Sequence, residues 1–425
     1  MPYGDVAFEV IAPFVDESID DASLRAIIQG AYGTFRHTAV APMVQLDERH
    51  FVLELFHGRT LAFKDVAMQF LARAMDHVLA QRGQRATIVG ATSGDTGGAA
   101  IDAFLGRART DMFILYPDGR VSDVQRRQMT TSADGNVHAL AIDGTFDDCQ
   151  AIVKAMFTHA AFRRDVALSG VNSINWARIV AQVVYFFTSA VALGAPDRKV
   201  SFSVPTGNFG DILAGWVAKQ MGLPIDRLII ATNENDILVR TLATGNYQAS
   251  GVVQTTSPSM DIEVSSNFER LLFSALGRDC SALSALMGSL RQSGSFALPE
   301  AALAMIRADF SATRAGEEEV SQAMRSALAD QAYLLDPHTA VGLVAARKIA
   351  SEQGLDHAIP IITLATAHPA KFPHAVSAAT GVHPPLPPHL ADLMERREAM
   401  DHLPADQGAV EAFVRAHARI LASST

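Results

Sequence analysis

The chain has 425 residues, 49% hydrophobic and 19% charged, with a formal net charge of −10. That length suggests two or three domains with an ordinary globular composition, and an acidic chain without a basic stripe argues against non-specific nucleic-acid binding. The only cysteines, Cys149 and Cys280, offer neither a metal-ligand spacing nor a disulfide framework and fit a reducing cytoplasm, and the first ten residues lack the basic and apolar regions of a secretion signal.

In chain order, residues 1–45 read as a mixed helical segment, with one clear helix over 20–30. Residues 51–55 read as a strand and His57-Gly58 as a turn. Thr60 is placed to cap a helix over 63–82, whose Val66, Phe70, Ala74 and Val78 share one face. An α/β alternation follows. Strands are expected at 86–89, 112–116 and 137–142, and helices at 93–104, 122–130 and 147–158. The spacing implies βαβ units and a parallel sheet. The apolar stretch 179–195 contains Gln182 and Thr188. It falls short of the roughly 20 apolar residues that span a bilayer, so it reads as a buried core helix. The alternation then resumes: strand 200–204, turn 205–210, helix 211–221 and strand 228–232. Helices are expected at 265–276 and 281–290, a largely helical region at 315–354, and a last apolar strand at 359–364. Pro384, Pro385, Pro387 and Pro388 read as a rigid linker before a helical tail.

The βαβ blocks, 65–170 and 180–380, suggest two α/β lobes, and a cleft between lobes is a usual place for a cofactor. Three loops, 91–98, 205–210 and 365–370, each follow an expected strand. Open parallel sheets bind ligands beyond the carboxyl ends of their strands.

The turn Pro205-Thr206-Gly207-Asn208-Phe209-Gly210 reads either as a phosphate cradle of backbone N–H groups at a helix N-terminus or as a plain tight turn. It is neither a Walker A loop nor GxGxxG, so a nucleotide is not indicated. The turn Thr92-Ser93-Gly94-Asp95-Thr96-Gly97-Gly98 offers hydroxyls and glycines suited to a substrate carboxylate. Ser93 or Asp95 could equally cap the helix, and the two roles are compatible. Lys64 stands at a helix start among apolar neighbours. The positive helix end and partial burial should lower its pKa toward the neutral amine that Schiff-base chemistry needs. On local sequence alone, a lysine that extends its ammonium to water is the commoner reading.

Together the motifs point further. Leu55-Phe56-His57-Gly58-Arg59-Thr60-Leu61-Ala62-Phe63-Lys64-Asp65 resembles the pyridoxal 5′-phosphate (PLP) lysine segment of threonine synthases. Gly90–Gly97, Asn172-Ser173-Ile174-Asn175-Trp176-Ala177-Arg178, Ser203–Asp211 and Ala365-Thr366-Ala367-His368-Pro369-Ala370-Lys371-Phe372 match the same family in the same order, over about residues 30–380. The resemblance is to the bacterial and fungal branch. It implies a two-lobed α/β fold of the fold-type II PLP enzymes, similar to the tryptophan synthase β subunit. Parallel-type sheets carry flanking helices, and the cofactor lies in the inter-lobe cleft. The expected division is an N-terminal helical segment over 1–45, a smaller lobe over 65–175, a larger lobe from 46–64 plus 176–385, and a tail over 386–425.

By the same resemblance, Lys64 is the catalytic Schiff-base lysine and proton shuttle. Gly207, Asn208, Phe209 and Gly210 bind the cofactor phosphate, and Thr366 faces the pyridine nitrogen. Thr92, Ser93, Gly94, Asp95 and Thr96 lie where the family holds the substrate carboxylate and the cofactor's 3′-oxygen. Asn172, Ser173 and Arg178 match positions that grip a substrate phosphate. The implied reaction converts O-phospho-L-homoserine and water to L-threonine and phosphate by γ-elimination and β-addition of water, the last step of threonine biosynthesis. The alternatives are a dehydratase acting on serine or threonine and a catalytically silent PLP-binding homologue. Dehydratases need no substrate-phosphate site, which sets the 172–178 motif against the first.

Two departures stand out. Arg59 replaces a usual proline, which should loosen the turn or add a basic group near the cofactor. The family also carries a further segment before the point where Met1 falls, so the start reads as truncated. His338 reads as a near-site structural residue, His368 and Lys371 as neighbours of the ring-nitrogen loop, and Glu317–Glu319 as a solvated helix face. The fourteen histidines form no HxxxH or HxH pattern, so no metal site is expected. The expected partner is a small molecule, with no nucleic acid and no membrane; monomer and homodimer both stay open.

Overall fold

The computed structural model describes residues 1–132 and 134–419. Its strands are β1 (Met43–Gln45), β2 (His50–Glu54), β3 (Ala86–Ala91), β4 (Thr110–Pro117), β5 (Val137–Asp143), β6 (Leu168–Ser169), β7 (Val200–Pro205), β8 (Ile225–Thr232), β9 (Asn246–Gln248), β10 (Ser295–Ala297), β11 (Phe310–Arg314), β12 (Ile361–Ala365) and β13 (Asp401–Pro404). The chain divides into two compact units. One comprises Met1–Val40, His57–Ala181 and the residues from Pro385 onward; the other comprises Ala41–Phe56 and Gln182–Pro384.

The first unit is built on a five-stranded sheet in the order β13-β5-β4-β3-β6, with every pair parallel. All eight residues of β4 are buried. Met112, Ile114 and Tyr116 enter one apolar cluster, while Phe113 and Leu115 enter another. This period of two, apolar toward both faces, is what a parallel sheet covered on both sides requires. The helix Asp95–Phe104 connects β3 to β4, and Asp123–Thr130 connects β4 to β5. The N-terminal helices Tyr3–Val15 and Asp21–Tyr32 belong to this unit.

The second unit carries a six-stranded sheet in the order β1-β2-β12-β7-β8-β11, parallel except for the β1–β2 pair. Strands β7 and β12 are buried along their whole length. A separate antiparallel pair, β9 with β10, lies in the same unit. The apolar stretch forms the helix Trp176–Ala192, and no helix among the described residues is long and apolar enough to cross a membrane.

The division differs from the expected one in its details. Residues 57–64 and the N-terminal helices fall in the unit of Lys64, not in the larger lobe or a separate segment. The tail is not purely helical: β13 pairs in parallel with β5 before the helix Gln407–His417. Its Asp-His-Leu-Pro sequence is largely exposed at a sheet edge, where charge and a terminal proline are tolerated and no apolar alternation develops.

Candidate active site

Lys64 is the first residue of the helix Lys64–Gln81 and is 8% exposed. The turn before it is built around Asp65, which is fully buried. The Thr60 N–H donates to Asp65 Oδ2 at 2.8 Å and the Thr60 hydroxyl to Oδ1 at 2.6 Å. Thr60 is thus not the helix cap expected of it; it donates into the first helical turn, where a carboxylate is favoured. A Cβ on Gly58 would lie 2.3 Å from Asp65 Oδ2, so only glycine fits there. Leu61 is held at φ 62°, a left-handed conformation costly for leucine. Its side chain is buried with Val124, Leu390 and Leu393, which offsets that cost.

Arg59 is paired with a carboxylate. Its Nε donates to Asp102 Oδ1 at 2.8 Å, and Gln69 Nε2 donates to Asp102 Oδ2 at 2.7 Å. The segment preceding Lys64 is thereby tied to the helix that follows the 92–94 turn.

That turn leaves β3 with Gly94 at φ 138°. The Thr92 hydroxyl oxygen accepts from the N–H groups of Gly94 at 3.0 Å and Gly97 at 2.9 Å, which shapes the loop. Added Cβ atoms would meet the Gln125 side chain at Gly94 and Met129 Sδ at Gly97. The helix is capped by the backbone of Gly94, without a side-chain bond from Ser93 or Asp95. Asp95 instead faces inward, 4% exposed. Its Oδ2 lies 3.4 Å from Lys64 Nζ, and its Oδ1 accepts from Gln125 Nε2 at 2.9 Å. Lys64 is therefore ion-paired rather than snorkelling to water. The backbone N–H groups of Ser93 and Thr96 donate to no described residue.

Gln125 was not legible as a site residue. The available signal was its place in Ser122-Asp123-Val124-Gln125, a capping box that the structure contains. The box fixes the helix Asp123–Thr130 and leaves the amide nitrogen of Gln125 for Asp95.

In the 172–178 motif, Asn175 Oδ1 accepts from the Ala177 N–H at 3.0 Å as the helix begins. Asn172 is exposed, Ser173 half-buried and Arg178 only 5% exposed. Arg178 Nη1 donates to the Val171 carbonyl at 3.1 Å, whereas Nε, also buried, has no acceptor among the described residues. Burial pulls the guanidinium down to about 10.

In the second unit, the turn after β7 enters the helix Gly210–Gln220 through Phe209 at φ 64°. Its carbonyls are taken by residues 265–267. The Ser265 hydroxyl donates to Gly207 O at 2.6 Å, and the Asn267 N–H and Nδ2 both donate to Asn208 O at 3.0 Å. The N–H groups of Gly207, Asn208 and Phe209 donate to no described residue. A turn whose carbonyls are held and whose N–H groups are uncommitted, at a helix N-terminus, has the geometry of an anion site. Ser265 and Asn267 were also missed; the run Ser265-Ser266-Asn267 was the available signal. Thr366, directly after β12, is 6% exposed, and its hydroxyl bonds to no described residue. The Leu55 N–H donates to Ala365 O at 3.0 Å and fixes the strand end before it.

The chain belongs to the pyridoxal-phosphate-dependent enzymes, whose family model matches residues 35–306. A second model, the C-terminal region of threonine synthase, matches residues 339–414. Within the class the chain is a member of the threonine synthase family. It is 50% identical over 418 residues to threonine synthase of Pseudomonas aeruginosa, covering 98% of this chain and 88% of that one. Against the Saccharomyces cerevisiae threonine synthase it is 44% identical, covering 89% of this chain and 79% of the relative. The crystal structure of PLP-bound threonine synthase from Brucella melitensis superposes with a TM-score of 0.96 at 61% identity, covering 98% and 89% of the two chains. A threonine deaminase from Solanum lycopersicum, 14% identical with a TM-score of 0.56, shares the fold alone. The expected fold-type II architecture, PLP dependence and lyase class are therefore established, and the dehydratase and silent-homologue alternatives are not favoured.

Proposed function

We propose that this chain converts O-phospho-L-homoserine and water to L-threonine and phosphate in the cytoplasm, with PLP held on Lys64. The observation that carries the substrate assignment is Arg178, a buried guanidinium whose Nε has no acceptor among the described residues. It suits a second phosphate, beyond the one the cofactor brings, and a dehydratase has no use for it.

The residues fit the cofactor. The uncommitted N–H groups of Gly207, Asn208 and Phe209 match its phosphate. A Cβ at Gly207 would strike the backbone of Ser259 at 2.9 Å, so the turn keeps its shape only with glycine. The Thr366 hydroxyl suits the pyridine nitrogen and leaves it less protonated than a carboxylate would. When bound, PLP delocalises the negative charge left on the substrate carbons.

The chain's own residues do the rest. Lys64 Nζ moves protons in turn: it takes them from Cα and Cβ and returns them, one to Cγ once phosphate has left and one to Cα after water has added, and Asp95, steadied by Gln125, positions that amine. The N–H groups of Ser93 and Thr96 hold the substrate carboxylate, in a loop that Thr92 and Gly94 shape. Asn172, Ser173 and Arg178 hold the substrate phosphate, with the planar fork of arginine matched to its oxygens. As phosphate leaves Cγ, its second pKa of about 6 suits it to deprotonate the water that adds at Cβ.

The test is phosphate and threonine release from O-phosphohomoserine by PLP-loaded protein, expected in equal amounts. Keto acid formed from threonine, without phosphate release, would replace this reading with the dehydratase one. Bound PLP with no product would leave a silent homologue. Lys64→Ala should remove both turnover and the visible absorption of the lysine-bound cofactor.

A further inference from the structure

The 207–210 turn rests on a second piece of backbone. The position of a Cβ on Gly207 lies 2.9 Å from Ser259 O and 3.3 Å from Met260 Cα. Ser259 is in turn fixed by a buried histidine far along the chain: its N–H donates to His338 Nε2 at 3.2 Å. His338 is 2% exposed, and its Nδ1 lies 2.9 Å from Asp336 Oδ1. A neutral imidazole has one N–H and one acceptor nitrogen. The Asp336 carboxylate draws the N–H to Nδ1, which leaves Nε2 to accept from Ser259. The ring packs on Phe372, with centroids 4.7 Å apart.

The far side of the 255–261 segment has its own anchor. The Asp261 carboxylate accepts from Asn233 Nδ2, Asn235 Nδ2 and the Thr255 hydroxyl at 2.7–3.0 Å. The histidine contact thus acts at the Ser259 end of the segment, away from that anchor. Asp336 also caps the helix Pro337–Glu352 by accepting from the N–H groups of His338 and Thr339. That cap accounts for the aspartate. It does not account for a histidine that bridges the aspartate to the Ser259 amide.

We propose that His338 is a positioning residue for the cofactor phosphate, acting through Ser259 on Gly207; this rests on the reading of 207–210 as the PLP-phosphate turn. Its contribution is directed at one end of the ligand. A shifted Ser259 backbone changes the seat of Gly207 and, through it, the aim of the N–H groups at 207–209.

The experiment compares PLP with pyridoxal, which lacks the phosphate, in titrations of apoenzyme by visible absorption. The proteins are wild type, His338→Phe, which keeps ring packing without either hydrogen bond, and His338→Gln, whose amide can donate to Asp336 and accept from Ser259. H338F should bind PLP about tenfold more weakly and pyridoxal within about twofold of wild type, and H338Q should recover most of the PLP affinity. Equal losses for both ligands, no loss for PLP, or H338Q no better than H338F would overturn the inference. A wild type that binds pyridoxal as tightly as PLP would instead remove the phosphate-turn reading beneath it. If H338F does not fold, hydrogen exchange at the Ser259 amide of the wild-type holoenzyme decides. Strong protection is expected, and exchange at the rate of an exposed amide would overturn the assignment.

Discussion

Arg178→Met should make the protein more stable and less able to hold phosphate. The guanidinium is 5% exposed, and burial alone pulls it down to about 10. At about 1.4 kcal/mol per pKa unit, keeping the charge there costs on the order of 3 kcal/mol. The hydrogen bond to the Val171 carbonyl returns about 1 kcal/mol of that. Methionine has a similar length and no charge, so the variant should gain about 2 kcal/mol, within the range seen when buried charges are replaced by apolar side chains. The sign with pH follows from the depressed value. The unfolded chain binds the proton more tightly, so the penalty is constant at neutral pH and lifts only as pH rises through about 10. Urea unfolding of holoenzyme in phosphate-free buffer measures the gain, with both proteins equally loaded with PLP. Inorganic phosphate is then added. A ligand at a hundredfold excess over its Kd stabilises by about 2.7 kcal/mol, and the wild type should show such a rise while Arg178→Met shows little. A variant less stable than wild type without phosphate, or an equal response of both to phosphate, would refute the reasoning.

Gln125→Leu should keep the fold, since Ser122 still caps its helix, yet lower kcat about tenfold by removing the donor that orients Asp95 toward Lys64; unchanged phosphate release would contradict this. Arg59→Ala should cost less than about 1 kcal/mol in urea unfolding, because the arginine is half exposed and such pairs are screened. Asp102→Ala should cost more, since Gln69 also loses its acceptor, and a loss above about 3 kcal/mol for Arg59→Ala would mean that the tie carries far more of the turn than its exposure allows. Glu398 is held below the ordinary carboxylate range: burial pushes it up, but hydrogen bonds from Thr130 and Arg126 and the charges of Arg126 and Arg127 outweigh that. A depressed carboxylate stabilises above its unfolded pKa and loses that contribution as pH falls through the folded value. Glu398→Gln should therefore cost about 1.5–3 kcal/mol at neutral pH, and the gap to wild type should close as pH falls through the lowered folded value; a gap independent of pH would remove the charge from the explanation.

What the sequence made legible has a physical pattern. Strands β4, β7 and β12 are buried on both faces; β4 and β12 are largely apolar, and β7 alternates Val200, Phe202 and Val204 with two serines that are buried as well. Strands β6, β9, β10 and β13 are two to four residues long, and β13 lies at an exposed edge. Their pairing is decided by partners far away in the chain, and no local periodicity records it. The smaller βαβ elements were read nearly in place, whereas the allocation of 57–64 and the tail depended on tertiary contacts.

The candidate site divides in the same way. The 92–96 and 207–210 turns stand out in the sequence as glycine-containing turns after strands, whereas Lys64 stands out only through the resemblance of the whole motif set. Their working condition was not legible, because it depends on who holds their other atoms. Whether the N–H groups at 207–209 are available is decided by where the Gly207 and Asn208 carbonyls go, and those go to Ser265 and Asn267. Whether Lys64 meets water or a carboxylate is decided by Asp95, and Asp95 is aimed by Gln125, itself fixed by a capping box. Arg178 was legible as a phosphate-type residue, but its burial, and hence its cost to the fold, is not a property of the motif. A guanidinium that burial disfavours, with no acceptor for Nε among the described residues, suits a ligand better than packing. A measured stability gain in Arg178→Met would therefore bear on function without a turnover assay.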